Sequence, residues 1–148
     1  MAPSKITARE IMQPIRLALT PATSLTEVRD LLIQYRVSGA PVINDQGELV
    51  GIISQSDLVR TVVGDLLEPE SEGLLELFCD HTSTSDPLSG KTVAELMTKS
   101  VLKASPTDTA GFIAKTMIGH HVHRIIVVED NRPIGIISST DLIALIAD

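Results

Sequence analysis

The sequence predicts a mixed fold, α+β or α/β in class, built from two copies of one β-α-β-β-α unit. Three observations carry that prediction. Gly51-Ile52-Ile53-Ser54-Gln55-Ser56-Asp57-Leu58 is echoed by Gly135-Ile136-Ile137-Ser138-Ser139-Thr140-Asp141-Leu142. Thr7-Ala8-Arg9-Glu10-Ile11-Met12 matches Thr92-Val93-Ala94-Glu95-Leu96-Met97 at an offset of 85, and Thr20-Pro21 matches Ser105-Pro106 at the same offset. From Pro41 against Ile125 onward the offset is 84, which puts a lost residue in the loop before that strand. Repetition on this scale governs the whole reading of a chain.

In the first unit, Arg16 to Leu19 reads as a short strand stopped by Thr20-Pro21. Ser24-Leu25-Thr26-Glu27 has the spacing of a capping box, and Leu25, Val28, Leu31, Leu32 and Tyr35 follow at helical spacing on one apolar face. Ala40 to Ile43 and Glu48 to Ser54 are strands joined by the turn Asn44-Asp45-Gln46-Gly47. A short helix from Asp57 to Val63 closes the unit. In the second unit, Val101 to Ala104 is the first strand. Asp108 or Thr109 caps a helix reaching Ile118, with Gly119 as its C-cap. Ile125 to Val128, a turn at Glu129-Asp130-Asn131, and Pro133 to Ser138 form the hairpin, and Asp141 to Ala147 the last helix. The predicted division is a first unit at 1–63, an acidic connector at 64–90 and a second unit at 91–148. The connector reads as a helical start, through Leu66, Leu67, Leu74, Leu75, Leu77 and Phe78, followed by an acidic loop.

Composition narrows the function classes. With 43% apolar and 21% charged residues over 148 positions, the chain suits a folded domain with a substantial core. Tyr35, Phe78 and Phe112 are the only aromatic residues, too few for the stacking platforms of single-strand nucleic-acid binding. The net charge of −7 comes from seven acids between Asp65 and Asp86; the other twelve acids balance the twelve bases. That distribution speaks against a nucleic-acid partner. Cys79 is the single cysteine, so no internal disulfide framework exists and a reducing compartment is expected. No apolar run approaches the ~20 residues that span a bilayer. The expectation is a cytoplasmic protein with no membrane partner.

The repeated turns carry the candidate chemistry. Ser54, Ser56 and Asp57, and again Ser138, Thr140 and Asp141, put hydroxyls and a carboxylate where a strand becomes a helix. A carboxylate can accept two hydrogen bonds from a cis-diol, and a helix N-terminus offers N–H groups and positive potential to a phosphate. The same residues also make a good N-cap with an acid in the first turn. His121 and His123 stand two apart, without the further ligands a metal centre needs. No nucleophile-base pair, phosphate-binding Gly-rich loop or metal set is visible, and no enzyme is expected.

The duplicated unit, with Gly-x-h-Ser-x-Ser/Thr-Asp at its last strand–helix turn (h, hydrophobic), a preceding Thr-x-x-Glu-h-Met helix and Thr/Ser-Pro after the first strand, resembles the CBS domain. A tandem pair of these forms a Bateman module, in which the two units pack about a pseudo-twofold axis. The resemblance covers Ser4 to Val63 and Lys91 to Asp148. It implies a regulatory module that senses energy state by binding AMP, ADP or ATP, AMP foremost, between the units and acts on a separate, unidentified partner protein. Two alternatives stay open: a sensor of S-adenosylmethionine or another adenosyl ligand, and a ligand-free dimerisation module. The resemblance also implies a homodimer formed through helical faces.

Carried onto this chain, it assigns ribose to Asp57 and Asp141, with Ser54, Ser56, Ser138 and Thr140 as hydroxyl partners. It forms the base slot from Gly39, Ala40 and Pro41 in one half and Val122, His123, Arg124 and Ile125 in the other. The backbone at Leu19-Thr20 and Ala104-Ser105 reads the base edge. His123 and Arg124 align with uncharged Gly39 and Ala40, so the site using Asp141 is expected to bind phosphate better.

Overall fold

The structure is a computed structural model that describes residues 5–67 and 87–147. Its elements in order are α1 (Ala8–Ile11), α2 (Leu25–Tyr35), β1 (Gly39–Ile43), β2 (Leu49–Ser54), α3 (Gln55–Leu67), α4 (Val93–Leu96), β3 (Lys103–Ala104), α5 (Ala110–His120), β4 (Arg124–Glu129), β5 (Arg132–Ser138) and α6 (Ser139–Ala144). Strands β1 and β2 pair antiparallel; β3 runs parallel to β4, which pairs antiparallel with β5. Among the described residues no helix is long and apolar enough to cross a membrane.

Local chemistry explains the boundaries. Ser24 caps α2 by accepting the Glu27 N–H at 3.3 Å, so the expected cap is present on the serine side of the box. Thr109 caps α5 in the same way through the Phe112 N–H at 3.2 Å, which decides between Asp108 and Thr109. Both helices end in left-handed residues, Arg36 and His121, each with φ of 55°. Gly119 therefore lies inside α5, and the C-cap expected there falls two residues later. Asp130 and Asn131, at φ 53° and 62°, form the tight turn between β4 and β5.

Several other expectations are corrected. The strand expected at Arg16 to Leu19 reduces to one parallel bridge between Leu19 and Val42. The strand expected from Val101 keeps only its last two residues, as β3. Helix α3 begins at Gln55 and reaches Leu67, longer at both ends than expected, whereas α6 starts at Ser139 and stops at Ala144. The leucines at 74, 75 and 77, Phe78 and the expected loop up to residue 86 lie outside the described residues; residues 87–90 form a turn whose Leu88 is buried in the first core. Leu19 with Val42 and Ala104 with Val127 keep the offset at 85 through β1 and β4. The missing residue thus falls in the hairpin turn, not before the strand, and His123 and Arg124 correspond to Ser38 and Gly39.

Each half has its own core. Leu25, Val28, Leu32, Val42, Ile53 and Leu58 pack in the first, and Ala104, Ile113, Met117, Ile125, Val127 and Ile137 in the second. The entry helices are exchanged between them. Ala8 of α1 is buried in the second core, and its N–H donates to Asp108 O at 2.8 Å. Val93 of α4 is buried in the first core, and its N–H donates to Thr23 O at 2.9 Å. Beyond each helix one residue bridges the far hairpin: Gln13 pairs with Ile136, and Thr98 with Ile52. These pairs are related by the internal repeat, so the two units stand in pseudo-twofold relation.

The exchange requires two glycines. A Cβ on Gly51 would stand 2.7 Å from Met97 Sδ, and one on Gly135 would stand 2.5 Å from Met12 Sδ and 2.8 Å from Met12 Cγ. Gly135→Ala should lower the unfolding free energy by about 1–3 kcal/mol through overpacking. In denaturant titrations, Met12→Ala combined with Gly135→Ala should cost less than the sum of the single changes, because the first vacates the space the second fills.

Candidate functional site

Two clefts lie where the units meet, and each takes residues from both. The first, about 460 Å³, is lined by Ser54, Ser56, Asp57 and Arg60 at the start of α3, and by His121, Val122, His123 and Arg124 between α5 and β4. The second, about 420 Å³, is lined by Gln13, Arg16, Arg36, Val37 and Pro41 from the first half and by Arg124 and Ser138 from the second. Both volumes lie in the range of small-ligand pockets. Gly39, Arg124 and Ile136 line both clefts.

The composite arrangement follows from the exchanged entry segments. Residues 13–17 and their counterparts 98–102 leave the entry helices beside the other unit's hairpin. Each cleft therefore joins the entry segment and helix end of one unit to the Ser-Asp turn of the other. The sequence groups His123 with Asp141, but the structure places His123 and Val122 in the cleft of Asp57. The physical reason is the crossover, which a linear reading of either half does not contain.

Asp57 is the only buried charged residue among those described, 6% exposed. Its Oδ2 accepts the Ser54 N–H at 2.8 Å and the Ser54 hydroxyl at 3.1 Å. Its Oδ1 accepts from the Arg60 guanidinium, whose side chain is 72% exposed. Asp141 is less buried and has fewer partners. Its Oδ2 accepts the Ser138 N–H at 2.8 Å, while Ser138 Oγ accepts the Asp141 N–H at 3.2 Å, a reciprocal capping box. Gln13 Nε2 reaches Asp141 Oδ1 at 3.5 Å, which sets this carboxylate beside the second cleft without lining it.

The other assigned residues divide clearly. Ser54, Ser56, Asp57, Val122, His123, Arg124 and Gly39 come together in the first cleft; Pro41, Ser138, Arg124 and Gly39 share the second. Leu19, Ala40, Ala104 and Ile125 are buried in the cores and line neither cleft. Thr20 bonds Thr23, Ser105 N donates to Asp108, and exposed Thr140 lines neither cleft. Leu17 and Leu102, two residues before Leu19 and Ala104, line the clefts instead.

Arg60, Arg16, Arg36 and His121 were missed as cleft residues. Arg60 was accessible from sequence, since it stands three residues after Asp57 on one helix and so shares its face. The arginines of the second cleft become visible only with the crossover.

Comparison with known proteins agrees with this architecture. The CBS domain family matches residues 8–64 and 93–148. The chain belongs to the CBS domain family. It is 35% identical over 133 residues to the Methanocaldococcus jannaschii protein MJ1426, covering 80% of this chain and 79% of that one. A CBS domain of a Sphaerobacter thermophilus membrane protein superposes with a TM-score of 0.75 at 28% identity, covering 97% of this chain and 89% of that one. CBSX2 from Arabidopsis thaliana, solved in complex with AMP, gives a TM-score of 0.73 at 27% identity, with 95% and 96% covered. The chain spans about half, 55%, of full-length chloroplastic CBSX2. The module is thus a CBS pair.

The unequal surroundings of the two carboxylates have a stability consequence. Asp57→Ala should destabilise the fold by about 1–3 kcal/mol, since it strips partners from Ser54 and Arg60 around a buried site. Asp141→Ala should cost less, and parallel thermal and urea unfolding of the two variants measures the difference.

Proposed function

We propose that this CBS pair is a regulatory module that binds an adenine nucleotide, AMP foremost, with ADP and ATP as further ligands, in the cleft containing Asp57. One observation carries the reading: a single cleft holds hydroxyls and a buried carboxylate from one unit and His121, His123 and Arg124 from the other. The acidic group suits ribose hydroxyls, and the basic groups suit a phosphate. The AMP complex of similar CBSX2 supports the same ligand class. This reading transfers the stronger phosphate site from the Asp141 side, where the sequence expectation put it, to the Asp57 side.

Arg124 lines both clefts and its counterpart by the repeat is Gly39, so one guanidinium serves two sites. A nucleotide bridging the units would favour one relative orientation over another, and a regulated partner protein would read that difference. The proposed homodimer uses the helical faces. Ile33, Val59 and Val63 on α2 and α3 are exposed, as are Ile118 and Ile143 on α5 and α6. Each pair of helices borders an apolar groove, about 630 Å³ in the first unit and about 500 Å³ in the second.

Calorimetric titration of nucleotide-free protein with AMP, ATP and S-adenosylmethionine tests the proposal. Binding of AMP or ATP that weakens about tenfold or more in Arg124→Ala is expected, the loss of one charge-assisted hydrogen bond. Tighter binding of S-adenosylmethionine, indifferent to Arg124, favours the adenosyl-sensor alternative. A folded dimer that binds none of the three identifies a dimerisation module.

A further inference from the structure

The cleft that suits a nucleotide has its diol acceptor already engaged. Asp57 Oδ2 is committed to the backbone and hydroxyl of Ser54, contacts that begin α3. The remaining oxygen, Oδ1, is held by Arg60. Of the carboxylate's roughly four acceptor positions three are taken, so a ribose diol donating two hydrogen bonds needs the position that the guanidinium holds. The two partners differ in freedom: Asp57 is buried, whereas Arg60 is a long side chain mostly in solvent. The second unit has no such clasp. The residue there corresponding to Arg60 is Ala144, and Asp141 faces Gln13 instead.

We infer that Arg60 is a displaceable counter-ion that makes the Asp57 cleft selective for phosphorylated adenosyl ligands. In the empty cleft it balances the buried carboxylate. When a 5′-phosphorylated nucleoside binds, the ribose takes Oδ1 and the guanidinium moves to the phosphate, exchanging one charge-assisted contact for another. An unphosphorylated nucleoside breaks the same contact and offers no anion in return. Discrimination arises from that uncompensated loss, because a partner left unpaired costs more than a pair exchanged. His121, His123 and Arg124 supply attraction to the phosphate, but none of them holds Asp57. Arg60 alone links the ribose acceptor to the phosphate, as a positioning and specificity residue.

This inference rests on the nucleotide reading above, and one set of titrations separates the two. AMP is titrated into the full chain as wild type, Arg60→Gln and Arg60→Lys, and adenosine is measured by competition against AMP. The preference for AMP over adenosine should fall about tenfold or more in Arg60→Gln, the size of one charged hydrogen bond. It should fall through both effects, weaker AMP and tighter adenosine, and Arg60→Lys should retain part of it. Equal weakening of both ligands in Arg60→Gln would assign Arg60 a structural role and overturn the inference. An unchanged preference would overturn it as well, while leaving AMP binding intact. Wild-type protein that binds neither ligand removes the nucleotide reading itself, and this inference with it.

Discussion

The structure depends on an exchange: each unit is completed by the segment that precedes the other. Ala8 fills the second core and Val93 the first, and two short antiparallel bridges, Gln13 with Ile136 and Thr98 with Ile52, stitch the chain across the interface. The bridges use backbone groups on the outer edges of β2 and β5 that would otherwise need water. Neither hairpin therefore presents that edge at these positions, and neither core is closed without the other half. The units fix each other's position through this crossover, and the clefts are its by-product.

That by-product accounts for what sequence reasoning reached. Helices α2 and α5 follow from apolar spacing and from Ser24 and Thr109, because these signals are local. The hairpins follow from alternating apolar runs between turn residues. The Ser-Asp turns stood out as the candidate site because the repeat displays them twice. What lay beyond reach was non-local. The sequence does not say that entry helices change partners, so it assigned His123 to Asp141 rather than to Asp57. The missing residue was likewise misplaced, since the apolar character of β1 and β4 fits two alignments and only the pairings Leu19–Val42 and Ala104–Val127 choose between them. Gly119 looked like a helix stop because glycine favours the left-handed conformation, yet α5 is capped by His121, whose backbone takes that conformation and which borders the first cleft.

The Ser-Asp turn performs two tasks that compete for the same atoms. As a cap, it satisfies backbone N–H groups at the start of a helix; in the proposed site, it would have to leave polar atoms for a ligand. In the second unit the cap dominates. Ser138 and Asp141 exchange hydrogen bonds in both directions, and Asp141 Oδ1 retains only the long contact from Gln13. In the first unit the serine hydroxyl donates to Asp57 instead, and both carboxylate oxygens are occupied. The more buried carboxylate is thus also the better neutralised one. That fits the cost of desolvating charge, which favours a partner close at hand.

Pseudo-symmetry makes the remaining inequality unavoidable. The two clefts adjoin where β1 and β4 begin, at Gly39 and Arg124. A symmetric pair would place a guanidinium at both positions, but Gly39 admits no side chain: a Cβ there would stand 2.9 Å from the carbonyl oxygen of Ile53. That carbonyl belongs to a buried residue of β2, paired with β1, and cannot retreat without disturbing the ladder. Close packing of the first hairpin therefore leaves a single arginine at the centre, shared by both clefts. Two anions side by side would compete for it and repel each other. The backbone approach that packs the first hairpin also prevents the two halves from offering equal sites.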